Sequence, residues 1–227
     1  MAEEKLNVAT IDLGTSPSPA NVIFDALRQA ILHGKLAEGA SLRQDALARM
    51  FNVSRIPVRE ALQRLEATGL AASVRYRGVV VKGLNPDEIR EIFEFRALLE
   101  PDVIRLSVPH QSAKTLEDAA ELYERFSTET NPALWSDLNT LFHGALYRDC
   151  NRPYYLWVVA RSNDLVQRYV RHQLELTDGM AEANKQHADI LRACQMRDPD
   201  LAAARTRHHI LYACERLIDF VSKSRPG

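Results

Sequence analysis

Asn139, His143, His187 and His209 are spaced as a set of metal or ligand donors. Asn139 and His143 are four residues apart, so on a helix both leave from one face. His187 sits at the centre of an apolar arc formed by Ala183, Ile190, Leu191 and Cys194. His209 lies close to the arc Ala202, Thr206, Ile210, Ala213, Leu217 and Val221, whereas its neighbour His208 faces outward. Imidazoles converging from three helices suit a divalent ion, with zinc or nickel the best matches. Three nitrogen donors leave positions open for water or a carboxylate. Three uses are therefore open: an anchor for an acidic ligand, a sensor of the ion itself, or a metal-bound water for hydrolysis. No HExxH pattern or carboxylate pair beside these histidines supplies a general base, so binding is expected rather than turnover.

A second constellation lies nearer the N-terminus. Arg55, Arg59 and Gln63 recur at i, i+4 and i+8, which lines them along one edge of a helix whose apolar arc is Val58, Ala61, Leu62 and Leu65. Ser54 stands where it can cap that helix, and Pro57 is tolerated in its first turn. Downstream, the β-prone segments 70–74 and 78–81 flank Arg75-Tyr76-Arg77, a hairpin with a basic tip. A short helix, a turn, a helix with aligned arginines and a basic hairpin together predict a winged helix-turn-helix. Arginines in that setting read guanine or hold phosphates of double-stranded DNA.

The overall charge hides this. The 227 residues carry 29 Lys+Arg and 30 Asp+Glu, a formal net charge of −1, yet residues 1–84 hold 11 basic against 8 acidic groups. The excess is sharpest over residues 40–82, with 8 basic and 3 acidic. Residues 85–227 hold 18 basic and 22 acidic, so a basic head is joined to a mildly acidic body. No apolar run approaches the ~18–20 residues needed to cross a bilayer. The N-terminus lacks the basic and apolar regions of a signal peptide. The three cysteines are widely spaced without a CxxC, so a reduced, cytoplasmic protein is expected.

The elements that must position these groups are mostly helical. Helices are predicted over 20–33, 44–51 and 55–68, and then over 86–107, 112–130, 132–150, 153–175, 179–196 and 198–222. The breaks fall at Pro109, Asn131-Pro132, Asn151–Pro153, Thr177–Gly179 and Asp198-Pro199. The fold class is mainly α: a winged helix-turn-helix over 19–82, a linker at 83–86, and an all-α six-helix bundle over 87–222. A mobile arm is expected over 1–18.

The stretch ILHGKLAEGASLRQDALARMFNVSRIPVREALQRLEATGL, followed by RGVVV, resembles the DNA-binding domain of the GntR family of bacterial transcription regulators. The resemblance implies DNA contacts at Ser54, Arg55, Pro57 and Arg59, and in the wing at Arg75, Arg77 and Gly78. Asp45 departs from the pattern, standing where some members carry a DNA-contacting arginine, which leaves Arg43 or Arg49 to meet a phosphate. The segments FEFRALLEP, DLNTLFHGALYRDCNRP, HADILRACQMRD and AAARTRHHI resemble the FCD ligand-binding domain of the FadR-like subfamily. That pattern has a D-x3-H pair and two later histidines about 22 positions apart, the separation of His187 and His209. Here Asn139 replaces the aspartate, so weaker metal binding is expected. The resemblance also implies that Arg96 faces the cavity and pairs with an effector carboxylate; the alternative is an exposed ion pair with Glu100 four residues on. It further implies a homodimer, an inverted-repeat operator and a small organic acid as effector, with repression the expected sign.

Overall fold

The computed structural model describes residues 18–224. The arm expected over 1–18 lies outside the described residues except for Ser18. Proline begins most of the helices, where its missing N–H costs nothing and its fixed φ favours helical entry. It opens α1 (Pro19–Leu32), α4 (Pro86–Ser107), α6 (Pro132–Tyr147), α7 (Pro153–Leu176) and α9 (Pro199–Ser224). Asn85 and Glu88 add a reciprocal capping box to α4, while Ser112 and Asn131 cap α5 (Ala113–Ser127) and α6. The remaining helices are α2 (Gln44–Met50), α3 (Arg55–Ala67) and α8 (Gly179–Gln195).

In the head, α1, α2 and α3 pack around Ile23, Leu27, Ile31, Val58, Leu62 and Leu65, all buried. Antiparallel strands β1 (Ala71–Val74) and β2 (Gly78–Val81) form the wing, in the register Ala71↔Val81 to Val74↔Gly78. The segment before α2 joins this sheet, a feature the sequence reading did not contain. Ser41 bridges Val80, Leu42 N–H donates to Val79 C=O, and Val81 N–H donates to Ala40 C=O. Tyr76 and Gly78 take φ of 64° and 71° at the wing tip, the left-handed conformation that a three-residue reversal demands. One expectation needs correction. Ser54 occupies the N-cap position of α3 but makes no side-chain capping bond, so its hydroxyl is not consumed within the fold.

The body has two apolar clusters. One joins α4, α5, α6 and α8 through Ile104, Phe126, Phe142, Leu146 and Ile190; the other joins α4, α7 and α9 through Phe93, Val166, Ile210 and Leu217. The helices predicted to end at 130 and 150 stop earlier, at Ser127 and Tyr147. The second is followed by a 3-10 turn, Arg148–Cys150, and by Asn151 at φ 53°. Cys150, Cys194 and Cys214 are buried free thiols. Among the described residues, no helix is long and apolar enough to cross a membrane.

Head and body meet mainly along α7. Arg28 donates from Nε and Nη2 to the two carboxylate oxygens of Asp164 at 2.7 and 2.5 Å, a bidentate pair that is largely buried. Arg161 donates to Ala67 C=O, Arg168 donates to Lys82 C=O, and Leu84 N–H donates to Tyr169 Oη at 2.6 Å. Leu165 packs against the head core and the α4–α7–α9 cluster together. From α6, Asp137 lies 3.3 Å from His33. Replacement of Asp164 by Ala leaves the Arg28 guanidinium without its partner and should cost about 1–3 kcal/mol of head–body docking. Limited proteolysis should show faster cleavage around residues 82–86, with helix content by circular dichroism unchanged.

Candidate functional site

On the head, the exposed face of α3 carries Arg59, Glu60 and Gln63, opposite the buried Val58, Ala61, Leu62 and Leu65. Arg55 lies at the edge of that face. Its Nε donates to Asp45 Oδ1 at 2.7 Å, both side chains being more than half exposed. The aspartate that departs from the family pattern therefore engages the first arginine of the recognition helix. Arg43 and Arg49 are exposed at the two ends of α2. In the wing, Arg75 lies over the ring of Tyr76, while Arg77 Nη2 donates to Gly39 C=O at 3.2 Å and ties the wing to the preceding loop. Arg64, counted among the head's basic residues, is occupied internally: it donates to Asn21 and stacks over Phe24.

In the body, a cavity of about 520 Å³ opens between α4, α6, α7, α8 and α9. His143 and His209 line it together with Asn139 and Arg96, and His187 is fully buried behind them. The three imidazoles offer nitrogens that all lie within 4.8 Å of one another. Ring centroids are 5.0 Å apart for His143–His187, 5.5 Å for His143–His209 and 4.3 Å for His187–His209. Phe126, Phe142 and Trp135 surround His187 at 5.2, 5.4 and 5.8 Å, so its polar edge has few places to go.

Neighbouring groups fix the tautomers. Tyr147 Oη donates to Glu100 Oε2 at 2.9 Å, so its contact with His143 Nδ1 at 3.4 Å requires that Nδ1 carry the hydrogen. His209 Nδ1–H donates to Gln186 Oε1 at 2.8 Å. Both rings thus turn Nε2 lone pairs towards the site, the arrangement a metal-ligating histidine needs. His143 Nε2 lies 3.1 Å from His187 Nε2, so in this state His187 donates. The Nδ1 of His187 is buried with no hydrogen-bond partner, as is Asn139 Oδ1. An orphaned amide oxygen beside a converging imidazole set fits a divalent cation, with no anionic ligand from the chain among these four side chains.

Arg96 lines the cavity, but Glu100 holds part of it. Its Nε donates to Glu100 Oε1 at 2.6 Å, and Glu100 is only 1% exposed. The ion pair of Arg96 with Glu100, expected from the sequence as an exposed one, is formed but buried. Tyr147 and Gln186 were missed in the sequence; the available signal was spacing, since Tyr147 follows His143 by four residues and Gln186 adjoins His187. Outside this cluster, Asn163, Gln167 and Gln173 of α7 face the cavity amid apolar neighbours such as Leu156, Val159 and Val170.

Residues 19–81 match the family described as bacterial regulatory proteins, gntR family, and residues 91–212 match the FCD domain. The chain is 26% identical over 196 residues to the HTH-type transcriptional repressor GlaR of Escherichia coli, covering 82% of this chain and 89% of that protein. It is 25% identical over 207 residues to a probable D-xylose utilization operon transcriptional repressor of Paenarthrobacter nicotinovorans, covering 86% and 87%. The solved structure of E. coli McbR/YncC is similar in fold, with a TM-score of 0.78 at 21% identity over 92% of this chain and 99% of that one.

Burial dominates the proton affinities in the cavity. It pushes His143 and His209 down to about 3, with repulsion from Arg96 adding to both and from His143 adding to His209. His187 is driven well below the ordinary histidine value, first by burial and then by the other two rings. Burial also raises Tyr147, aided by Glu100, and lifts Cys194 to about 11. The folded protein thus keeps all three imidazoles neutral, whereas the unfolded chain protonates them below about pH 6.5. Their contribution to stability is present above that pH and is lost as pH falls towards 3. Fully protected rings would each lose about 1.4 kcal/mol per pH unit. Cavity water moderates the two that line it, so the expected loss lies between about 1.4 and 4 kcal/mol per unit. Denaturant unfolding of metal-free protein should be level above pH 7.5, begin to fall towards 6.5 and fall most steeply between 6.5 and 5; a level profile down to 5 would place these rings in contact with bulk solvent.

Proposed function

Because the chain belongs to the GntR family of bacterial regulatory proteins and carries the FCD domain, it is a transcriptional regulator, and we propose that it is an effector-controlled repressor. In this reading it binds an inverted-repeat operator in cytoplasmic DNA as a homodimer, each head taking one half-site. The effector is a small organic acid held in the body cavity, together with a divalent metal ion. The relatives named as repressors support the sign of regulation.

One observation carries the reading: α7 lines the cavity with Asn163 and Gln167 and grips the head with the adjacent Asp164 and Arg168. Anything that shifts α7 to accommodate a ligand also shifts the residues that orient the DNA-binding head. The two sites are thereby coupled, with an expected change in operator affinity of about 5- to 150-fold. Sequence contact falls to Ser54, Pro57, Arg59 and Gln63 of the recognition helix, with Arg55 released from Asp45 to a phosphate or base. Arg43, Arg49, Arg75 and Arg77 meet phosphates, and Gly78 lets the wing approach closely.

The donor chemistry accounts for an acidic effector. His143, His187, His209 and Asn139 would hold a divalent ion through neutral atoms, and Glu100 is already engaged by Arg96 and Tyr147. When bound, the ion supplies a Lewis-acidic anchor for a carboxylate. The Nη groups of Arg96 would meet the same carboxylate, because its Nε is committed to Glu100. A second reading, in which the ion alone is the effector, draws on the preassembly of the three imidazoles within 4.8 Å.

Fluorescence anisotropy with duplexes selected from a random pool tests the proposal. Binding should weaken steeply with salt and should respond to an organic acid found by thermal-shift screening with zinc or nickel present. No binding at low salt, with or without acids, would overturn it; a response to metal without acid would favour the second reading. Asn139→Asp supplies an anionic donor and should tighten metal binding in calorimetry.

A further inference from the structure

We propose that Ile56 is a base-reading residue of α3, docking on the 5-methyl groups of thymine in the major groove; the proposal rests on the reading of the head as a duplex-binding module. At 3.6 residues per turn, the direction opposite the buried arc of α3 is occupied by Ile56 and Gln63, with Arg59 and Glu60 on either side. Ile56 is 59% exposed, so a large β-branched side chain stands in water at the centre of an otherwise polar face. It contributes little to the head core, which is built from Val58, Ala61, Leu62 and Leu65.

The surroundings identify its partner. Exposed guanidinium groups of Arg55 and Arg59 border the N-terminal part of this face, and Ser54 leaves its hydroxyl outside the helix cap. Arg55, at the edge of the face, can meet a phosphate while Arg59 reaches a base edge, which puts the centre of the face over the floor of the groove. That floor is polar except for one group, the C5-methyl of thymine. An aliphatic side chain between arginines and Gln63 is complementary to that methyl and mismatched to the polar edge of a G·C pair. Gln63, two helical turns further along the stripe, is suited to pair bidentately with an adenine further down the groove.

The test uses the full chain and operators selected from random duplexes. Each half-site should contain a thymine at a fixed position, and replacing it with uracil, which removes only the methyl, should weaken binding about three- to fivefold. Ile56→Ala should weaken binding to the thymine operator and become indifferent to the uracil exchange. Because Ile56 is exposed, that variant should melt with the parent protein. The proposal is overturned if no thymine shows a uracil penalty, or if the penalty persists in Ile56→Ala. It is equally overturned if Ile56→Ala binds the operator as the parent does, which would assign the side chain to a protein contact. A pool that yields no ligand defeats instead the reading of the head as a duplex-binding module.

Discussion

Helix α7 has to satisfy two cores at once. Leu165 packs into the head beside Gly69 and also into the α4–α7–α9 cluster, while Val166 and Val170 keep the helix seated in the body. The Arg28–Asp164 pair then fixes the head in rotation as well as distance, because a bidentate guanidinium–carboxylate contact tolerates little twist. The polar grips along α7 reinforce it at backbone carbonyls of Ala67 and Lys82, on either side of the wing. A helix so constrained is a stiff lever, and its opposite surface is a wall of the cavity.

The same economy governs the cavity's electrostatics. Arg96 and Glu100 neutralise one another, and the three imidazoles are held uncharged by burial. A divalent ion held by those rings would bring positive charge that none of its four protein donors cancels. A carboxylate ligand would supply the missing negative charge, so ion and acid are expected to favour one another. Asn139 sharpens that dependence relative to an aspartate, since an amide oxygen contributes a dipole but no charge. The orphaned Oδ1 of Asn139 and Nδ1 of His187 are two of the buried polar atoms that the fold leaves unpaired.

Local signals in the sequence were enough for the helices and the wing. Prolines at helix starts, Asn85 with Glu88, and the Gly78 reversal are local devices, readable without knowing what packs where. The convergence of His187 and His209 followed from their apolar arcs, because a helix that buries an arc carries its histidine inward with it; His143 was placed by its i, i+4 relation to Asn139. What escaped depends on contacts distant in sequence. Glu100 meets Tyr147 across 47 residues, Arg28 meets Asp164 across 136, and the strand-like segment around Ser41 finds the wing only in the folded head. The Arg55–Asp45 ion pair joins two helices and is likewise invisible in the pattern of either one.

If cavity occupancy reaches the DNA through the α7–head contacts, operator affinity measured with and without an acid that binds the cavity, in the parent and in Arg28→Ala, should show it. The parent's affinity should shift several-fold or more with ligand, whereas Arg28→Ala should still bind the acid but show a much smaller shift. An unchanged shift in Arg28→Ala, with acid binding intact, would contradict that route and place the coupling elsewhere.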